Sequence, residues 1–180
     1  IQTSTLTVWQ GRFDNEIVYN PYIFSNVNLE DRTRRRGVSL NSRWRLDRDL
    51  TLVLNGTLQR AEFDEGEWEG NDVPLVSRQL FYAQANWQAL SWLELSLAHR
   101  YVGKRHFDND QPNNFQQLDS YRMTDLEATA RYRNAYLRVG AYNLEDERAA
   151  DYGIKATSNL SYNAYPLPER HYRVSLGMEF

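Results

Sequence analysis

Cysteine is absent from the sequence. A disulfide framework and a thiolate metal centre are thereby excluded. Histidine is scarce, with three residues, His99, His106 and His171. None of them sits in a recognisable triad or metal motif, and Ser91 and Ser120 lie in turn-like contexts rather than on a nucleophile elbow. No catalytic residue, metal or cofactor is assigned, and the chain is read as not an enzyme. Long apolar runs are missing too. Nothing approaches the ~18 consecutive residues of a transmembrane helix. A membrane-spanning β-strand needs only ~9–11 residues, and alternate ones face a polar interior, so a mean hydropathy of −0.73 leaves a barrel open. Positive charge is not in excess: 21 Lys and Arg stand against 24 Asp and Glu, a net charge of −3. A nucleic-acid partner therefore has no electrostatic support. The sequence also lacks an initiator Met and a signal peptide, and is read as processed or cut from something longer.

Aromatic residues are plentiful, 13% of 180 residues with 12 Tyr and 5 Trp. Such rings favour boundaries where one end is dry and the other wet. Period-two alternation recurs along the chain and helical periodicity does not. Leu6 and Val8 open a first strand that is expected to run through Trp9 and Phe13 towards Val18. Val38, Leu40, Ser42, Trp44 and Leu46 share one parity of a second. Leu50, Leu52, Leu54 and Leu58 mark a third, and Phe81, Ala83, Ala85 and Trp87 a fourth. Leu93, Leu95, Leu97 and Tyr101 mark the fifth, Leu126, Ala128, Ala130 and Tyr132 the sixth, Leu137, Val139 and Ala141 the seventh. The eighth is the last, with Tyr172, Val174, Leu176, Met178 and Phe180 on one parity. Successive side chains of a strand point to opposite faces, so each segment has one apolar and one polar face.

The connections alternate in length. Asp47-Arg48-Asp49, Leu90-Ser91 and Arg133-Asn134 are tight turns. Between them lie long polar stretches, roughly Asn20 to Arg34, Asp64 to Ser77, His106 to Asp119 and Glu145 to Arg170. Short turns at one end and long loops at the other are the layout of an antiparallel up-and-down transmembrane β-barrel. Trp44, Trp87 and Tyr132 lie beside short turns on the apolar parity, and Phe180 ends the chain in phase. They are read as a membrane girdle on one rim. Trp92 is off parity by one and belongs to the turn.

Several short motifs then occur in a familiar order. Gly11-Arg12-Phe13-Asp14-Asn15-Glu16-Ile17-Val18 forms a strand ending in an acidic, Asn-bearing turn. Arg34-Arg35-Arg36-Gly37-Val38 follows, with Ser39 where Glu is usual, and then Trp44-Arg45-Leu46. Val73-Pro74-Leu75-Val76-Ser77-Arg78, Arg100-Tyr101-Val102-Gly103-Lys104-Arg105 and Thr124-Asp125-Leu126 come next. Asn143-Leu144-Glu145-Asp146 with Tyr152-Gly153, and Pro168-Glu169-Arg170, complete the series, with Glu145 and Glu169 as departures. Together they cover nearly the whole sequence, which resembles the C-terminal part of the barrel of TonB-dependent outer-membrane receptors.

The resemblance implies a barrel of 22 strands with a plugged lumen. Residues 1–180 are then its last eight strands, with the plug domain and the N-terminal strands absent. It implies residence in the bacterial outer membrane and uptake of a bulky nutrient: a ferric siderophore, cobalamin, haem or an oligosaccharide. Implied partners are outer-membrane lipid and lipopolysaccharide, the barrel assembly machinery, the nutrient ligand, and the energy-coupling TonB protein through the missing N-terminal part. Tyr172, Val174, Leu176, Met178 and Phe180 would form the barrel-assembly signal. Tyr22, Trp68, His106, Phe107, Tyr152 and Tyr162 are the loop candidates for substrate contact, since Tyr and Trp give large contact area at low entropy cost. Arg34, Arg35 and Arg36 could meet lipopolysaccharide or an anionic substrate, or simply solvate a strand start. Glu65, Glu67 and Glu69 read as a mobile acidic loop, and His106, Asp108 and Asp110 fall short of a full Ca²⁺ ligand set. The rival reading is a self-contained eight-stranded barrel with a structural or adhesive role, its interior filled by paired Arg and Glu.

Overall fold

Alternation of leucine, valine and aromatic side chains with polar ones suits a pleated surface with two different sides. The computed structural model describes residues 1–20, 22–157 and 161–179. Its strands are β1 (Gln2–Phe13), β2 (Ile17–Asn20), β3 (Ser25–Asn28), β4 (Thr33–Arg45), β5 (Leu50–Phe63), β6 (Gln79–Leu90) and β7 (Leu93–Val102). They continue as β8 (Arg105–His106), β9 (Gln117–Leu118), β10 (Tyr121–Tyr132), β11 (Ala135–Tyr142), β12 (Ala150–Lys155), β13 (Tyr162–Pro166) and β14 (His171–Met178).

One antiparallel sheet of eight strands carries the fold, in the order β1-β4-β5-β6-β7-β10-β11-β14. Every neighbour in that order is the next long strand in sequence, which is the up-and-down layout. The sheet is open: among the described residues β1 and β14 do not pair. The eight strands fall where alternation puts them, with one exception. The first was expected to continue towards Val18, and it stops at Phe13. Asn15 takes a φ of 56°, a left-handed conformation that Asn tolerates better than most residues. The chain reverses there, and Ile17–Asn20 pairs with Ser25–Asn28 as a separate ribbon. Two further ribbons, β8 with β9 and β12 with β13, lie in stretches whose sequence reads only as polar loop.

The two faces of the sheet differ in kind. Leu6, Val8, Val38, Leu40, Leu54, Leu58, Leu97, Leu126, Leu137, Val139, Val174 and Leu176 are all exposed on one of them. Ser42 sits among these apolar residues, and its hydroxyl is shared with Ser4 Oγ at 2.6 Å and accepts the indole N–H of Trp44. The opposite face is polar and internally paired. Arg131 meets Glu94 at 3.1 Å, Arg138 meets Glu127 at 3.2 Å, and Tyr142 donates to Glu127 at 3.0 Å. Trp9 lies on this face over Gly37, where an added Cβ would come within 2.7 Å of the indole.

Short turns occupy one end of the sheet. Leu46 N donates to Leu50 O across the first, and Arg133 adopts a φ of 53° in the last. Trp44, Trp87 and Tyr132 all stand at this end on the exposed apolar face, and Trp92 lies in the turn after β6. The long connections and all three ribbons gather at the other end. In the final strand Tyr172, Val174, Leu176 and Met178 share the exposed face, while Phe180 lies outside the described residues.

Candidate ligand site among the loops

The loop end has a small core of its own. Ala61, Phe63, Phe107, Leu118, Tyr121 and Met123 are buried there. Phe107 meets Phe115 and Tyr162 edge to face, with ring centroids 5.4 and 5.0 Å apart. Such offset arrangements suit the quadrupoles of aromatic rings. Gly153 passes directly under Phe107, where an added Cβ would lie 2.5 Å from the ring. Any side chain there would push the β12–β13 ribbon away.

Backbone and amide hydrogen bonds tie the loops together. Asp108 N donates to Gly153 O at 2.8 Å, and Lys155 N donates to Asp108 O at 2.9 Å. Asn113 Oδ1 accepts from Asp72 N at 2.6 Å while its Nδ2 donates back to Asp72 O at 3.0 Å. Arg105 is buried and donates to the carbonyls of Ala150 and Asp151 at 2.9 and 2.6 Å. Tyr121 OH donates to Asp151 Oδ1 at 2.8 Å. His106 is clamped from both ring nitrogens, by Asp110 at 2.9 Å and by the Gln117 amide at 2.9 Å. Asp110 is wholly buried, and it also accepts from the backbone of Asn114 and Phe115.

Beside this body lies an open cavity of about 520 Å³. Tyr19 and Tyr22 border it on the β2–β3 side, Trp68 on another, and Asn109 and Gln111 on a third. Asn109 is the unusual member. It is 92% buried, from an exposure of 8%, and it takes a φ of 65°. Among the described residues, neither its amide nitrogen nor its oxygen has a hydrogen-bond partner. A buried amide without partners is costly in a native protein, and such groups point to an absent polar partner.

The loop candidates separate on this geometry. Tyr22 and Trp68 border the cavity. His106 and Phe107 are instead buried inside the loop core, where they hold the loops to one another. Tyr152 and Tyr162 stand on the β12–β13 ribbon and do not border the cavity. Tyr152 donates to Asp108 Oδ2 at 2.6 Å, and burial followed by that hydrogen bond pushes its hydroxyl well above the usual tyrosine range. Asn109 was missed by sequence reasoning. The available signal was the Asp-Asn-Asp run at 108–110, a composition suited to a left-handed turn. Among the described residues no group of three or more His, Asp or Glu is arranged to hold a metal ion.

The basic run divides across the sheet. Arg35 turns to the polar face, against Glu16 and over the Phe13 ring. Arg34 and Arg36 share the parity of Val38 and turn to the apolar face.

Comparison with solved structures returns the same architecture. The ferric yersiniabactin uptake receptor FyuA from Yersinia pestis superposes with a TM-score of 0.79 at 23% identity, over 97% of this chain and 27% of that one. The siderophore receptor PiuA from Acinetobacter baumannii gives 0.79 at 17% identity, over 97% and 26%. The ferric-catecholate import receptor Fiu from E. coli gives 0.76 at 18% identity, over 99% and 25%. The chain thus spans about a quarter of the length of these receptors. No curated protein matches it. The family model described as TonB-dependent receptor-like β-barrel matches residues 2–144, and the chain belongs to that family.

Proposed function

We propose that this chain is the C-terminal part of the barrel of an outer-membrane receptor that imports a bulky nutrient. The observation that carries the reading is the family match over residues 2–144, on a sheet whose connections are alternately short and long. An open sheet has two unpaired edges, which proteins ordinarily cover or close. Further strands of a wider barrel would pair with β1 and β14 and remove both. The plug and the segment that engages TonB belong to the remainder of the protein. The exposed apolar face is the surface that lipid covers, Trp44, Trp87 and Tyr132 form its girdle on the short-turn side, and the final strand carries the assembly signal.

Ligand recognition belongs to the loop end. Tyr19, Tyr22 and Trp68 offer flat faces, and Asn109 offers a pre-placed donor and acceptor. That combination suits a ligand with planar or ring surfaces edged by hydroxyl and carbonyl groups, as in a ferric siderophore or an oligosaccharide. The similar solved structures include a ferric citrate transporter, a copper transporter and several siderophore receptors, which favours a metal chelate. The test is uptake of a panel of iron-loaded siderophores by a strain carrying the full-length receptor. Trp68→Ala and Asn109→Ala are each expected to raise the half-saturating ligand concentration about tenfold, equivalent to ~1.4 kcal/mol. Uptake with unchanged affinity in both variants would move the ligand site away from this cavity.

A further inference from the structure

Positive charge is scarce around the cavity beside Tyr22, Trp68 and Asn109. Among the described residues its border carries one cation, Lys155, and one anion, Glu30. Lys155 is buried and already engaged within the protein. The other polar groups on the border are uncharged, chiefly the amides of Asn20, Asn28, Asn109 and Gln111.

Carboxylates gather beside it. Glu65, Glu67 and Glu69 flank Trp68 in the connection between β5 and β6, and all three are exposed. Glu30 and Asp31 come from the connection between β3 and β4. The two connections are packed together at Gly66, which takes a φ of 87°. An added Cβ there would lie 2.0 Å from a carboxylate oxygen of Asp31. Arg32 offsets part of this charge, at 2.8 Å from Asp14 and 3.8 Å from Glu65. The neighbouring Arg34 and Arg60 are committed to Glu62, Asp64 and Asp72. Glu30, Asp31, Glu67 and Glu69 form no ion pair among the described residues. These carboxylates make a collar of one sign around the Trp68 side of the cavity. Charges of one sign around a cleft reinforce one another, and their field acts on a ligand before contact.

The interior does not reverse that sign. Neutral amides can hydrogen-bond the oxygens of an anion, but they leave its net charge uncompensated, and taking an unpaired charge out of water is costly. Asn109 has this character, since its buried and unpartnered amide offers donors and an acceptor without charge.

We propose that the carboxylate collar sets the charge of the ligand: the cavity admits a metal chelate that is neutral or cationic as a whole and rejects an anionic one. The proposal rests on the receptor reading above and deepens it by naming the class of chelate. A ferric trihydroxamate belongs to the admitted class, because its hydroxamates balance the charge of the iron and a pendant ammonium adds positive charge. A ferric tris-catecholate belongs to the rejected class, because its catecholates outweigh the iron.

The test keeps one chelate core and changes its charge. A linear ferric trihydroxamate is used with its terminal amine free, acetylated or succinylated, which gives a cationic, a neutral and an anionic complex. Binding to the full-length receptor in non-ionic detergent is measured by titration calorimetry at low and at physiological salt. The amine form is expected to bind about tenfold more tightly than the succinyl form, and the gap is expected to narrow as salt screens the collar. Glu30→Gln with Glu67→Gln and Glu69→Gln is expected to close most of the gap and to leave the acetyl form within about twofold of its wild-type affinity. Asp47→Asn with Asp49→Asn removes negative charge at the short-turn end and is expected to leave the gap unchanged. A succinyl form bound as tightly as the amine form by the wild type overturns the proposal. An undiminished gap in the glutamine variant overturns it too, as does an equal closure in the asparagine one. Where the receptor takes a different chelate, the charge of the complex it imports decides: a neutral or cationic one supports the collar, and an anionic one overturns it. Uptake of an anionic chelate leaves the receptor reading standing and removes only the collar, whereas a full-length protein that imports no chelate at all refutes both.

Discussion

Leu176 is 80% exposed and Phe107 is 2% exposed, and both belong to apolar clusters of the same chain. The contrast separates two regions of different construction. On the sheet, leucine, valine and aromatic side chains share one exposed face in register across eight strands, and among the described residues its buried apolar side chains lie only at the long-loop ends of β5 and β10. Among the loops, Phe107 is buried beside the Phe115 and Tyr162 rings, and Asp110 and Arg105 are held by backbone partners, with one Arg105 nitrogen, Nη1, left unpaired among the described residues. The loop end is built like a small water-soluble domain, which must bury its own apolar surface. The sheet leaves its apolar face exposed, as the proposed lipid surrounding would allow, since there backbone groups must pair within the protein and side chains need not hide.

Substitutions that test burial should separate the regions most. Phe107→Ala removes the ring under which Gly153 passes, and is expected to cost about 3–5 kcal/mol of loop stability. Hydrogen exchange in β8–β9 and β12–β13 of the full-length receptor measures it, and the sheet amides are expected to keep their protection. Simultaneous loosening of sheet and loops would show that the two regions are one cooperative body. Leu54→Arg makes the complementary change on the sheet. Leu54 is already exposed, so in water the change would fall within about 0.5 kcal/mol. In a bilayer a charge near mid-height costs about 2–4 kcal/mol. Urea unfolding of the receptor in lipid vesicles distinguishes the two, and a negligible cost there would contradict lipid on the outward face.

The same contrast explains what the sequence discloses. All three tight turns and all eight long strands are readable because each strand has one apolar and one polar face, so period-two alternation is strong. Ser42, a polar residue at an apolar position, does not disturb the pattern, because Ser4 and Trp44 satisfy it from strand and neighbour. The ribbons β2–β3, β8–β9 and β12–β13 carry no such alternation. They are two to six residues long and are held by contacts with distant loops, such as Asp108 with Gly153. His106 reads as a surface residue until Asp110 and Gln117 are seen on its two nitrogens. Tyr22 and Trp68 were legible as candidates from residue type alone, whereas Asn109 becomes one only through its burial.

Asp110 sharpens the comparison at smaller scale. Its carboxylate serves His106 and two backbone N–H groups in a buried turn. Asp110→Ala leaves those donors unpaired, at about 1–3 kcal/mol. Limited proteolysis of the full-length receptor is expected to open the loop around residue 110 first. Intact resistance would mean that the turn is held by the sheet below it rather than by this side chain.

The smallest effect is a pH dependence that belongs to the loop end alone. Burial, and then the hydrogen bond to Asp108, raises the Tyr152 hydroxyl above its usual range, so the folded protein favours the neutral phenol. An unfolded tyrosine ionises near pH ~10. Below that value both states are neutral and the contribution of the contact is fully present. As pH climbs from there through the raised folded value, the unfolded state loses its proton first and the contribution disappears. Tyr152→Phe removes this one ionisation from an alkaline titration followed by near-ultraviolet phenolate absorbance. Subtracting the variant from the wild type should leave a curve with its midpoint above the bulk of the tyrosines. A midpoint at or below the ordinary value would mean that Tyr152 is released from Asp108, and that the β12–β13 ribbon is docked by Gly153 and Phe107 without it.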